Sequence, residues 1–289
     1  MNLLVRINLT LGIVFAAAGI AVGYTCSSML QANARQEVLR EAALMMDSAR
    51  ATRAYTSEEI LPLLTAQLTT EFLPQSVPSY AATQDFLRLR AQHPEYAYKE
   101  ATLNPTNPRD RAMDWEADII QKFRNDAQTR EIIGERDTPL GRSLYLAKPI
   151  RVQAQCLVCH SLPTAAPKTL LARYGSDNGF GWQPNEVVGA QVVSVPVARA
   201  TANADRILRG IMTWVVVILA VALLSVNAML YLFVVRPVRQ IARVADELSV
   251  GNMSAGGFPT RISSELAALA RSFERMRTSL EKALKLLEG

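Results

Sequence analysis

Cys156-Leu157-Val158-Cys159-His160 is the run in this chain whose residue types and spacing do chemistry together. Two thiols two residues apart reach along one porphyrin edge and add across its two vinyl groups. The adjacent imidazole then falls under the iron as proximal ligand. Cys-x-x-Cys-His is the attachment signature of a c-type haem. The expectation is one covalently attached haem c, with Cys156 and Cys159 as attachment points and His160 as iron ligand. A zinc site asks for more Cys and His nearby. The chain has 3 Cys and 2 His, so only Cys26 and His93 remain. A thioredoxin-like redox pair wants a strand feeding a helix, which Val152-Gln153-Ala154-Gln155 does not clearly supply.

The spacing leaves the far side of the iron open. Met45 and Met46 lie on the first external helix, and a Met thioether is a haem ligand. Paired Met on an amphipathic helix also reads as core. Met113 is a third candidate. His93 precedes Pro94 on a polar stretch and reads as a surface residue. Cys26 sits at a membrane edge. An open distal site stands beside these.

Other chemistry finds little support. Two His leave little for acid–base work beyond the iron ligand. No Gly-x-x-x-x-Gly-Lys-Ser/Thr occurs, and the Gly-rich run from Gly175 to Gly181 reads as a loop. The expectation is a protein that is not an enzyme. The net charge of +5 is no sign of nucleic acid, because its surplus lies mainly after residue 235, beside an apolar segment.

At 49% hydrophobic and 20% charged the chain is too apolar for the disordered classes. Two blocks hold the excess. Residues 1–29 read as an N-terminal transmembrane helix or signal anchor, apolar from about Leu9 to Met29, with cleavage as the weaker reading. Residues 211–235 read as a transmembrane helix: about 25 uncharged residues suffice for a bilayer core of about 30 Å. Within it Asn227 reads as a tolerated polar residue in preference to an interhelical bond in a dimer. Arg236, Arg239 and Arg243 follow this span, and Arg6 precedes the first. Positive-inside then puts both termini in the cytoplasm and residues 30–207 in the periplasm, across a bacterial inner membrane.

The external segment opens with a helix over about 31–54, continuous with the first span. Thr56 to Leu68 reads as a second helix with its own cap. A short helix over 83–91, a strand over 96–103 and a helix over 114–125 follow. Strands over 143–152 and 187–197 complete an α+β layout. In the tail, Val238, Ile241, Ala245 and Leu248 repeat at 3-4-3. Beyond a Gly/Ser/Asn-rich connector, Leu266, Leu269, Phe273, Met276, Leu280, Ala283 and Leu287 alternate steps of three and four. Such seams want partner helices, and a parallel four-helix bundle from two chains would bury them.

Residues 236–289 resemble the HAMP linker of bacterial receptors, on Pro237 just after the span and on Ser264-Glu265-Leu266 opening the second helix. The resemblance implies a homodimer and a signalling role. The chain stops soon afterwards, so the expected output is a separate cytoplasmic protein such as a kinase. Residues 35–200 resemble a c-haem-binding, PAS-like sensor family first described in cyanobacteria. Asn104-Pro105-Thr106-Asn107-Pro108, Asp114-Trp115-Glu116, Gly141-Arg142-Ser143-Leu144-Tyr145 and Cys156 to His160 carry it. It implies a PAS-like antiparallel sheet with flanking helices. One member uses a distal Cys on the first helix, where this sequence has Met45 and Met46. Trp115 and Arg142 fit either a haem lining or a packing role.

The expected function is a membrane-bound haem-based sensor of redox change or a small diatomic ligand, relaying a periplasmic signal through the second span to the linker. The alternative is a membrane-anchored monohaem c-type cytochrome for electron transfer, for which the heptad tail has no use.

Overall fold

The computed structural model of the protein describes residues 3–252, 256–258 and 264–287. It falls into two compact units, Thr25–Leu208 and Met1–Tyr24 with Arg209–Gly289.

Helix α1 (Leu3–Tyr55) is unbroken, as the absence of Gly and Pro between Tyr24 and Tyr55 predicts. The new cap expected at Thr56 does not form. The helix widens into a π turn (Thr56–Ile60) and resumes as α2 (Leu61–Leu64). The Thr56 hydroxyl donates backwards to the Thr52 carbonyl at 2.7 Å instead of capping a fresh helix. Helix α3 (Pro78–Gln92) starts earlier than expected, because Pro78 opens its first turn.

Strand β1 (Ala97–Thr102) leads to α4 (Asp114–Asn125). The α4 start is secured by Glu116, which accepts from the Met113 backbone N–H at 2.8 Å and from Lys99 at 2.6 Å. Strands β2 (Ile132–Thr138) and β3 (Gly141–Arg151) form a hairpin. Then come α5 (Leu157–His160), α6 (Lys168–Tyr174) and β4 (Val187–Pro196). The sheet is antiparallel in the order β1-β4-β3-β2. Strand β2 went unread in the sequence. Glu135 and Asp137 are exposed, as suits an edge strand, and Arg136 between them is half-buried over Trp115, so three charges in a row hide the strand.

Side chains alternate across the sheet. Tyr98, Leu144, Leu146, Val193 and Val195 face α1 and α3, against Val38, Ala42, Met46, Ala49, Ala82 and Phe86. Ala101, Ala147, Ala190 and Val192 face α4, against Ile119, Ile120 and Phe123. Long buried side chains such as Phe123 and Met46 anchor these layers, and truncating one to Ala costs about 2–5 kcal/mol.

The other unit holds α1 up to Tyr24, α7 (Ala198–Leu230) from Arg209 onward, a π turn (Tyr231–Val235), α8 (Arg236–Ser249) and α9 (Ser264–Leu287). Two helical stretches, Leu4–Leu64 and Ala198–Ser249, are long and apolar enough to cross a membrane, with mean hydropathies of 1.9 and 2.6. Asn227 is not the isolated polar residue the sequence reading preferred. Its amide exchanges two hydrogen bonds with Asn8 of the same chain, at 2.7 and 2.8 Å. In the tail, Ile241, Val244 and Leu248 pack with Phe258, Ala270 and Phe273. Val244 takes the inward place expected of Ala245, and Val238 is exposed. Leu269, Met276 and Leu280 are also exposed. The side chains of Ala283 and Leu287, like part of the connector, lie outside the described residues.

Candidate functional site

The run from Cys156 to His160 follows directly on β3. A tight turn (Ala154–Cys156) leads into the single turn of α5. Backbone bonds secure both flanks. Val152 donates to the Glu186 carbonyl at 2.9 Å and accepts from Asn185 at 3.0 Å. Further along, Gly181 donates to the Ser161 carbonyl at 2.7 Å and Trp182 to the His160 carbonyl at 3.2 Å. The segment before β4 is thereby stitched to both ends of the Cys-x-x-Cys-His turn.

The His160 ring is held on three sides. Its Nδ1 lies 2.7 Å from the Gly179 carbonyl and 3.4 Å from the Thr106 hydroxyl. Its face stacks on the Trp182 indole, centroids 3.9 Å apart and planes 12° from parallel. A carbonyl only accepts, so Nδ1 carries the proton and Nε2 keeps its lone pair. Burial pushes the imidazole below its ordinary pKa and favours the neutral form; the Gly179 bond pulls the other way and is outweighed. Cys156 and Cys159 are both free thiols. Burial, and then the neighbouring Cys156, raise the pKa of Cys159.

Gly179 has φ +83°, in the left-handed region, and a Cβ there would lie 2.8 Å from the Thr106 backbone nitrogen. Gly179→Ala should therefore lower domain stability by about 1–3 kcal/mol and loosen the His160 contact. Thermal unfolding of the variant checks this; an unchanged midpoint would contradict the account of the loop.

A buried polar network lies at the end of α1. Glu100, 4% exposed, pairs with Arg53 of α1 and accepts from Tyr98 at 2.7 Å. Tyr98 in turn accepts from Gln191 at 3.0 Å. Burial works to lower the Arg53 pKa, but Glu100 overcomes it and holds the guanidinium above its ordinary value. Burial, Glu100 and its hydrogen bond also push the Tyr98 phenol upward, so it stays neutral and donates.

Other residues singled out from sequence fall elsewhere. Met46 is sealed in the apolar cluster between α1 and the sheet, and Met45 packs half-buried at its margin. Met46 is seven residues from Arg53, about 10 Å along the helix. Met113 is 60% exposed, and His93 lies exposed at the end of α3. Cys26 is half-buried on α1. Trp115 stacks under Arg136 at 4.1 Å and beside Tyr145, a packing position on the α4 face. Arg142 is exposed and pairs with Glu135 at 3.0 Å. Thr106, Gly179, Trp182, Arg53 and Glu100 were not read as site residues in advance. The paired glycines and Trp182 just downstream were the available signal, since a Gly-rich run permits close backbone approach.

Two thiols and a tautomer-fixed imidazole on one turn, docked on an antiparallel sheet flanked by helices, suit a tethered prosthetic group. An apolar helix and two further helices that pack on each other follow, so the class is an α+β binding domain joined through an apolar helix to a helical linker. The chain belongs to the Tll0287-like family, whose model matches residues 31–196, more than half of the sequence. A HAMP domain, a signal-transduction linker, matches residues 229–282. Among solved structures the chain is similar to the cyanobacterial heme-protein Tll0287, at 17% identity and a TM-score of 0.44, covering 55% of this chain and 95% of that one. No curated protein matches.

Proposed function

We propose that the protein is a membrane-bound haem sensor that passes a periplasmic signal through its HAMP domain to a separate cytoplasmic partner such as a kinase. One observation carries this reading. The segment that holds His160, strand β4 and helix α7 are consecutive in the chain, and α7 runs into the HAMP domain. A family member being a heme-protein supports the cofactor, and the geometry around His160 fits one.

In this reading Cys156 and Cys159 hold a single haem c through thioether bonds, and His160 offers Nε2 to its iron. The bound group supplies a redox-active iron able to take a diatomic ligand. Gly179 keeps the proton on Nδ1, and Trp182 fixes the plane of the ring. Movement of His160 is therefore shared with Gly179 and Trp182, and these lead along the chain into β4 and α7. Met46 would have to leave its apolar cluster to reach a distal position, and Met45 its half-buried margin. The reading accordingly takes the distal side as open or weakly held. The protein acts as a homodimer in the inner membrane, both termini cytoplasmic, with the exposed Leu269, Met276 and Leu280 face of α9 against its partner copy.

Removing residues 237–289 should leave the haem spectrum unchanged and abolish signalling. The spectrum is read on the purified protein, and the output in cells carrying the truncation. Signalling that survives the truncation would overturn the relay.

A further inference from the structure

Asn8 and Asn227 lie on the two helices long and apolar enough to cross a membrane. Each donates its amide N–H to the other's amide oxygen, at 2.8 and 2.7 Å, and Asn227 also donates to the Leu223 carbonyl at 2.8 Å. Higher along the same pair of helices, Gly23 leaves room for Met212: a Cβ on Gly23 would meet the Met212 sulfur at 3.3 Å. Between them Gly19 faces Leu219, whose Cδ1 is 4.0 Å from such a Cβ. Residue numbers rise on one helix as they fall on the other, so these segments pack antiparallel in one register. Apolar side chains alone specify register weakly, because they tolerate repacking. A reciprocal amide pair does not, because both of its bonds form in one register only.

We propose that the Asn8–Asn227 pair is a register clamp: it locks α7 at a fixed height against α1, so that the two apolar helices move as one unit and α7 does not slide along α1. Sliding by one helical turn, about 5.4 Å, would break both amide bonds together. A signal reaching the HAMP domain therefore takes the form of a shared rotation or tilt of the pair. This rests on the sensor reading for its role in signalling, but not for the contact itself.

Cross-linking of cysteine pairs in native membranes with dibromobimane, which alkylates both thiols and needs no oxidant, tests it, using the full chain with Cys26→Ser. Gly23→Cys is combined in turn with Leu208→Cys, Met212→Cys and Val215→Cys, and linked peptides are identified by mass spectrometry. The expected link is with position 212, both under ascorbate and under ferricyanide. Asn8→Val should spread the links to neighbouring turns, lowering the preference for 212 by roughly threefold to twentyfold, the range spanned by single interhelical hydrogen bonds. Asn8→Val with Asn227→Val should spread them less than either single change, because no amide is left unpaired. Gly19→Cys with Leu219→Cys repeats the test at a second level, in case a side chain at position 23 disturbs packing. A link that moves by a turn between the two redox conditions overturns the clamp. So do a preference for 212 that ignores the Asn changes, and an absence of links at both levels. Failure of the sensor reading would look different: the same cross-links, with no haem or no output.

Discussion

Replacing both Cys156 and Cys159 by Ser should remove all covalently held pigment from the protein, while the fold persists. The two thiols sit on one turn, are free, and directly precede the residue whose Nε2 is left unprotonated. Nothing in the apolar clusters between the sheet and its helices depends on them, since those consist of other residues. The prediction is checked by haem staining of a denaturing gel beside the circular dichroism of the same sample. Single changes should each leave one thioether and a weakened stain. Pigment still bound to the double variant after denaturation would refute attachment at this turn.

The second large effect concerns Arg53. Changing it to Leu leaves the Glu100 carboxylate, 4% exposed, without its countercharge. Breaking a buried pair from one side costs about 3–5 kcal/mol. For a domain of this size that is a fall of about 10 °C in Tm. The sign can be cross-checked with a double variant. Adding Glu100→Gln removes the stranded charge and keeps an acceptor for the Tyr98 hydroxyl, so Arg53→Leu/Glu100→Gln should recover most of the loss. Thermal unfolding followed by circular dichroism measures both. Equal destabilisation by the single and the double would show that Arg53 contributes packing and no charge pairing.

What could be read in the sequence followed from local rules. The unbroken α1, α4 between Asp114 and Asn125, and the strands containing Leu144 and Val193 announce themselves by period and by breakers. Strand β2 does not, because Glu135 and Asp137 suit an edge facing water and, with Arg136 between them, blur its pattern. The Cys-x-x-Cys-His turn was legible because its spacing is itself the chemistry. Its supports were not. Thr106 and Gly179 lie 54 and 19 residues from His160 in the chain, and only the folded loops bring them together. Glu100 looked like an ordinary charge on a strand until α1 covered it with Arg53. Asn227 was judged by its own helix alone, and its partner is 219 residues away.

The central claim is a covalently held haem whose iron is ligated by His160 and whose other side answers to ligands. Absorption spectra of the purified full chain, ferric and ferrous, with and without CO and NO, test it most directly. The account predicts a c-type spectrum that survives denaturation and shifts when either gas is added to the ferrous protein. A chain that carries no covalent haem would contradict it outright, and a six-coordinate spectrum indifferent to both gases would contradict the open distal side.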